Sequence, residues 1–265
     1  MSRPLERIEG GRAGSSTCSG KYYRLVISLT GPEEVLKALD RHAYARFSTA
    51  MAAEVGGLSE GGAVLWWGET GFGRLAHAFG DDAAVARLVA AARATMGPVR
   101  WINMPRPGGV ITDWAWDFLW TTSVPAFESG HEVVPVEDAD EIHALLDEAF
   151  PDSAVRPGHP LVVEWHGIRA GHRAGGRLAA VVADRSGRPP GSKGRPTVGA
   201  IGGLAVHPDF RGQGMGAALT AALTTRFVTG YGLSTLGVYP GNVVAQRMYE
   251  SVGYRQSLPL LGVPQ

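Results

Sequence analysis

The sequence predicts a two-part α/β protein with mixed strand pairing, and three observations carry that expectation. The chain has 265 residues, which at ~100–200 residues per domain means two domains or one large one. Its apolar pattern alternates between the two-residue period of strands and the 3.6-residue period of helices. One glycine-rich segment, Ala205 to Leu219, leads out of a strand and into a helix.

Composition narrows the function classes. Hydrophobic residues make up 45% and charged residues 19%, an ordinary globular balance that argues against long disorder. The 37 glycines and 17 prolines call for many turns. Basic and acidic residues number 25 each, so no net field would gather nucleic acid or a membrane surface, and neither is expected as a partner. The single cysteine, Cys18, excludes a disulfide framework and a cysteine-built metal cluster. It fits a reducing, cytoplasmic setting. No apolar run approaches the ~18 residues of a membrane span, and the N-terminus lacks the apolar core of a secretion signal.

The elements follow in order. Residues 1–20 have no periodicity and read as a disordered leader. From Thr30, Val35, Leu36, Leu39, Tyr44, Phe47 and Met51 fall at helical spacing, which predicts one helix running towards Val55. Two apolar runs, 63–69 and 73–79, flank Thr70-Gly71-Phe72 as a hairpin, and Asp81-Asp82 open a helix to about Thr95. Trp114, Trp116, Phe118 and Trp120 alternate, so a strand here has one aromatic face. A core sheet is the preferred reading of that face, and a ligand-facing wall is the other. Residues 121–131 have the composition of a linker, which divides the chain into 21–125 and 126–265.

The second half restarts the alternation with a short strand at 133–136 and an Asp-started helix at 138–150. An irregular stretch to Arg169 follows, then strands at 178–184 and 198–206 around a Gly/Pro/Arg loop. Next come a helix from about Gly214, a strand at 234–239, a helix from Asn242 to Val252, and a last strand past Tyr254. Charge is locally uneven. Residues 132–152 hold eight acids and no Lys or Arg, while 156–195 hold eight basic residues against Glu164 and Asp184. The basic stretch is either solvated or the border of an anion site.

Ala205-Val206-His207-Pro208-Asp209-Phe210-Arg211-Gly212-Gln213-Gly214-Met215-Gly216 is the most informative run. Free N–H groups at a helix start and the positive end of its dipole attract phosphate, and glycines let it approach the backbone. A Walker loop would need Lys-Ser/Thr where Ala217-Ala218 stand. A dinucleotide site would need an acid about twenty residues on, and 230–240 contain none. The spacing Arg211-x-x-Gly214-x-Gly216 after Ala205-Val206-His207-Pro208 instead resembles the pyrophosphate loop of the GNAT acetyltransferases. Downstream, Asn242, Ala245, Tyr249, Gly253 and Tyr254 are similar to that family's closing motif, most like its FR47-like branch.

The resemblance implies a GNAT fold in the second half and acetyl-CoA as cosubstrate, with direct acyl transfer to an amine acceptor. It also implies site residues. Leu204, Ala205 and Val206 would pair with the pantetheine arm, a backbone N–H near Val206 would hold the oxyanion, and Arg211 to Gly216, with Gln213 and Met215, would hold the diphosphate. Asn242 would cap its helix beside the coenzyme arm. Tyr249 would be the general acid for the departing thiolate, although its spacing also fits an ordinary core residue. Glu164 and His166 are candidate bases, and a water chain is an equal alternative. No metal is expected, because His159, His166 and His172 suit no single helix face. The first half has no such loop and reads as a smaller or degenerate GNAT-like copy that helps shape the acceptor cleft. A non-catalytic acyl-CoA-binding regulator is the rival reading, and the oligomeric state, monomer or homodimer, stays open.

Overall fold

The computed structural model describes residues 25–170, 176–188 and 198–265. The leader, Cys18, His172 and much of the Gly/Pro/Arg loop lie outside the described residues. The first half runs β1 (Ile27–Thr30), α1 (Gly31–Ala38), α2 (Ala43–Ala50), β2 (Ala53–Glu60), β3 (Ala63–Thr70), β4 (Gly73–Phe79), α3 (Asp82–Met96), β5 (Trp101–Pro105) and β6 (Ala115–Thr121). The second runs β7 (Val134–Pro135), α4 (Ala139–Ala149), β8 (Glu164–Arg169), β9 (Leu178–Asp184), β10 (Gly199–Val206), α5 (Met215–Tyr231), β11 (Ser234–Val238), α6 (Val243–Val252) and β12 (Gln256–Pro264).

The helix expected from Thr30 is two helices. Pro32 and two glutamates in its first turn favour the start of α1. Asp40 and Arg41 then take φ of 47° and 52°, a left-handed pair that costs L-residues ~1–2 kcal/mol each. His42 restarts the helix by accepting the Tyr44 N–H on its ring nitrogen. Burial of Val35 and Tyr44, both 0% exposed, offsets the strain. A second difference lies at β8, which occupies the end of the stretch expected to be irregular and forms the full ladder Glu164↔Asp184 to Ile168↔Ala180.

All twelve strands form one sheet, ordered β1-β2-β3-β4-β5-β12-β6-β11-β10-β9-β8-β7. The C-terminal strand β12 lies between β5 and β6, and β6 lies between β12 and β11. The division after residue 125 therefore falls beyond a strand whose two hydrogen-bonded neighbours both come from the second half. Trp116, Phe118 and Trp120 of β6 pack with Tyr44, Phe47 and Trp66, so that part of the aromatic face is core, while Trp114, just before β6, is half exposed. Helices α5 and α6 cover one face of the second half, with Ile201, Leu236 and Tyr249. Helix α4 covers the other, with Trp165, Val181 and Ala205.

This packing also resolves the charge asymmetry. The acids of α4 meet the basic stretch in three ion pairs: Arg156–Asp147 at 2.6 Å, Arg169–Glu141 at 2.7 Å and Arg177–Glu148 at 3.0 Å.

Candidate active site

Strand β10 is parallel to β11 only from Gly199↔Ser234 to Ile201↔Leu236. It then continues to Val206 beside β9 alone, resuming that ladder at Ala205↔Val181 after a bulge. Within the bulge Gly203 has φ +58°, and a side chain there would strike the Trp165 ring at 2.7 Å. The result is a wedge in the sheet interior, where among the described residues no strand pairs with the β11-facing edge of Gly202 to Val206, and only the Val206 carbonyl there accepts a side-chain bond, from Arg211. Such an edge is available to an extended ligand. Leu204 and Val206 are partly buried and pack with Met248 and Tyr249 in one apolar cluster, and Ala205 is buried against α4.

At the end of β10, His207 and the turn Pro208–Phe210 lead into α5. Gly214, in the left-handed conformation at φ +79°, caps α5 with no side chain, and no acid lies in the first turn. The first bond of the helix runs from the Ala218 N–H to the Gly214 carbonyl, so the N–H groups before it are the helix's unpaired donors. Gly212, Gln213 and Gly214 are exposed, while Met215 is buried and anchors the loop in the core. Nothing lies within 4 Å of the side-chain positions at Gly212 and Gly214. A diphosphate fits this donor set, which combines main-chain N–H groups, a helix dipole and open approach. The Arg211 guanidinium is turned onto the Val206 and Ala149 carbonyls, each at 3.3 Å. It ties the loop to β10 and the end of α4.

Asn242 caps α6 by accepting the Ala245 N–H at 3.1 Å. Tyr249 is 7% exposed, stands edge-on to Tyr254 at 6.0 Å, and its phenol is pushed well above the ordinary range by burial and then by Tyr254. Burial holds it protonated, the form a proton donor needs. Tyr254 differs in being fixed by Thr224 and Ser234, both at 2.7 Å, with its pKa pushed up to about 12 by burial.

Glu164 is not brought to this cluster. Its carboxylate binds Arg226 at 2.8 Å and His166 at 3.2 Å, and the Arg226 hydrogen bond lowers its pKa. His166 is pulled down by burial. The register places Glu164 two strands away from Val206 and four residues along the sheet, about 16 Å between Cα atoms at ordinary strand spacing. Sequence spacing alone could not show this capture, because Arg226 is 62 residues away.

The site thus joins a mixed sheet whose strands part to a helix start capped by a glycine. The Acetyltransferase (GNAT) family model matches residues 116–254, just over half of the chain, and the chain belongs to that family. The matched region begins at β6. Among solved structures, the chain is similar to a GCN5-related N-acetyltransferase from Kribbella flavida at 21% identity, covering 81% of this chain and 87% of that one, with a TM-score of 0.46. It is also similar to a GNAT acetyltransferase from Colwellia psychrerythraea at 12% identity, covering 91% and 99%, with a TM-score of 0.49. A tandem GNAT protein from the clavulanic acid biosynthesis pathway matches at 14% identity over 90% and 98%, with a TM-score of 0.43. No curated protein matches significantly.

Proposed function

We propose that this protein transfers an acetyl group from acetyl-CoA to a primary amine by direct attack in a ternary complex. The observation that carries the reading is the unpaired edge of β10 ending at the side-chain-free start of α5. One end suits an extended amide-bearing arm and the other a diphosphate. Leu204, Ala205 and Val206 would hold the arm, Gly212 to Gly216 the diphosphate, and Asn242 would fix the α6 start beside it.

In the chemical step the amine nitrogen forms a bond to the thioester carbon, and a β10 N–H near Val206 receives the oxyanion. Such a donor is worth ~10²–10³ in rate. Collapse breaks the carbon–sulfur bond, the electron pair leaves with sulfur, and Tyr249 supplies its proton. The amine's lost proton passes through solvent and restores the phenol. Glu164 supports this reading only as the carboxylate that orders Arg226 and His166. The first half completes the acceptor side, since its β3–β4 turn packs on the loop at Pro160.

Incubation of the full chain with acetyl-CoA and a metabolite extract, read by mass spectrometry, is expected to yield amines heavier by one acetyl group. Coenzyme binding with no transfer to any amine would leave a regulatory binder instead.

A further inference from the structure

Arg185, directly after β9, stands apart from the other described arginines of the basic stretch whose ion pairs neutralise α4. It forms no ion pair among the described residues, and its Nε is buried without a hydrogen-bond partner. Its side chain lies across Gly202, where a Cβ would meet the Arg185 Cδ at 2.3 Å. Gly202 is the first residue of β10 beyond the last β11 pair. By strand alternation it shares the face of Ala200 and Leu161, opposite α5 and α6.

Two neighbours complete the cluster. The Arg185 guanidinium sits 5.7 Å from the Phe72 ring, and the His159 ring sits 5.1 Å from that same ring. His159 accepts the Leu161 N–H on Nδ1 at 3.2 Å, which leaves the proton of the neutral ring on Nε2. That Nε2 is also buried and without a partner. Burial and the Arg185 charge lower the His159 pKa, so it is neutral at pH 7. Arg185 itself is drawn down to about 10 by burial and keeps its charge. Two buried donors and one cation thus meet between the first-half turn and the mouth of the wedge, with no anion paired to them among the described residues. Buried polar groups are ordinarily satisfied, and an unpaired buried cation is costly unless a ligand pairs it.

We infer that Arg185, with the His159 Nε2–H, forms a carboxylate subsite, so that the acceptor is an amine that also bears a carboxylate. This deepens the acetyl-transfer reading and rests on it. One positive charge matches a carboxylate rather than a dianionic phosphate, and the planar guanidinium suits its two oxygens. The carboxylate would lie on one face of the sheet while the coenzyme's diphosphate sits at the start of α5, with the amine reaching through the gap between β10 and β11.

The test compares free amino acids with their carboxamides and with the decarboxylated amines, using the full chain and acetyl-CoA. The carboxylate series is expected to be preferred by about 30-fold in kcat/KM, the scale of one charged hydrogen bond. Arg185→Gln should abolish that preference by raising KM for the carboxylates alone, and Arg185→Lys should restore part of it. Thermal stability of Arg185→Gln should be unchanged or higher, because an unpaired buried cation is removed; a loss would mark Arg185 as structural and overturn the proposal. Equal use of carboxylates and carboxamides by the wild type would overturn it too. A second arm needs no turnover: N-acetylglycine and N-acetylglycinamide are titrated by NMR, and tighter binding of the former, lost in Arg185→Gln, supports the subsite even if the transferase reading fails. Equal binding of the two rejects the subsite while leaving that reading standing.

Discussion

Ile201 of β10 and Leu236 of β11 are the last paired residues before the two strands part. Everything proposed for the coenzyme follows from where that pair ends. Beyond it, β10 has five more residues, Gly202 to Val206, whose outer edge has no strand beside it.

Gly214→Asp should weaken acetyl-CoA binding about 100-fold or more. The substitution puts a side chain on a left-handed residue and a carboxylate at the positive end of α5. Isothermal calorimetry measures this directly, and unchanged affinity would reject the diphosphate assignment.

Tyr249→Phe should retain coenzyme affinity and a native melting profile while kcat falls about 100-fold, the lower range for a general acid. Because burial raises the phenol, it loses its proton only at strongly alkaline pH. Any fall in wild-type kcat between neutrality and pH ~9 must then come from another group. A normal kcat in the variant would return Tyr249 to a purely core role.

Glu164→Gln should change kcat less than tenfold, because the carboxylate is engaged by Arg226 and His166. The pair is about a third exposed on the glutamate side, so the stability loss should stay within ~1 kcal/mol. Steady-state kinetics with a thermal melt separates the two roles, and a hundredfold fall in kcat with an intact fold would make Glu164 the base.

The fragment 126–265 should fail to unfold cooperatively, since it leaves β11 and β12 without β6, and the full chain should show a single transition. Calorimetry of both distinguishes a shared sheet from independent domains. A fragment melting at the full-chain temperature would contradict the expectation.

His77 should make the first half acid-sensitive. It is 6% exposed, stacks on Trp66, bonds the Tyr44 hydroxyl at 2.8 Å, and burial lowers its pKa to about 3. A depressed value means the unfolded chain takes the proton first. The contribution is full above pH ~6.5 and lost progressively down to about 3, at up to ~1.4 kcal/mol per pH unit. Melting temperatures from pH 7 to 4.5 should fall steeply in the wild type and less steeply in His77→Gln.

What was legible in the sequence was local. Asp81, Asp138 and Asn242 each cap a helix through N–H groups two or three residues away, so their roles follow from short spacing. The turn at Arg211 to Gly216 and the helix that follows it are local for the same reason. The break at Asp40-Arg41 carried no Gly or Pro to announce it, because its cause is the burial of Val35 and Tyr44 elsewhere. Tertiary structure alone decided that β12 and β6 interleave the two halves, that Arg226 captures Glu164, and that Arg185 has no ion-pair partner among the described residues. Each of these depends on residues far apart in the chain whose meeting is chosen by packing of the whole sheet, and no local pattern records that choice.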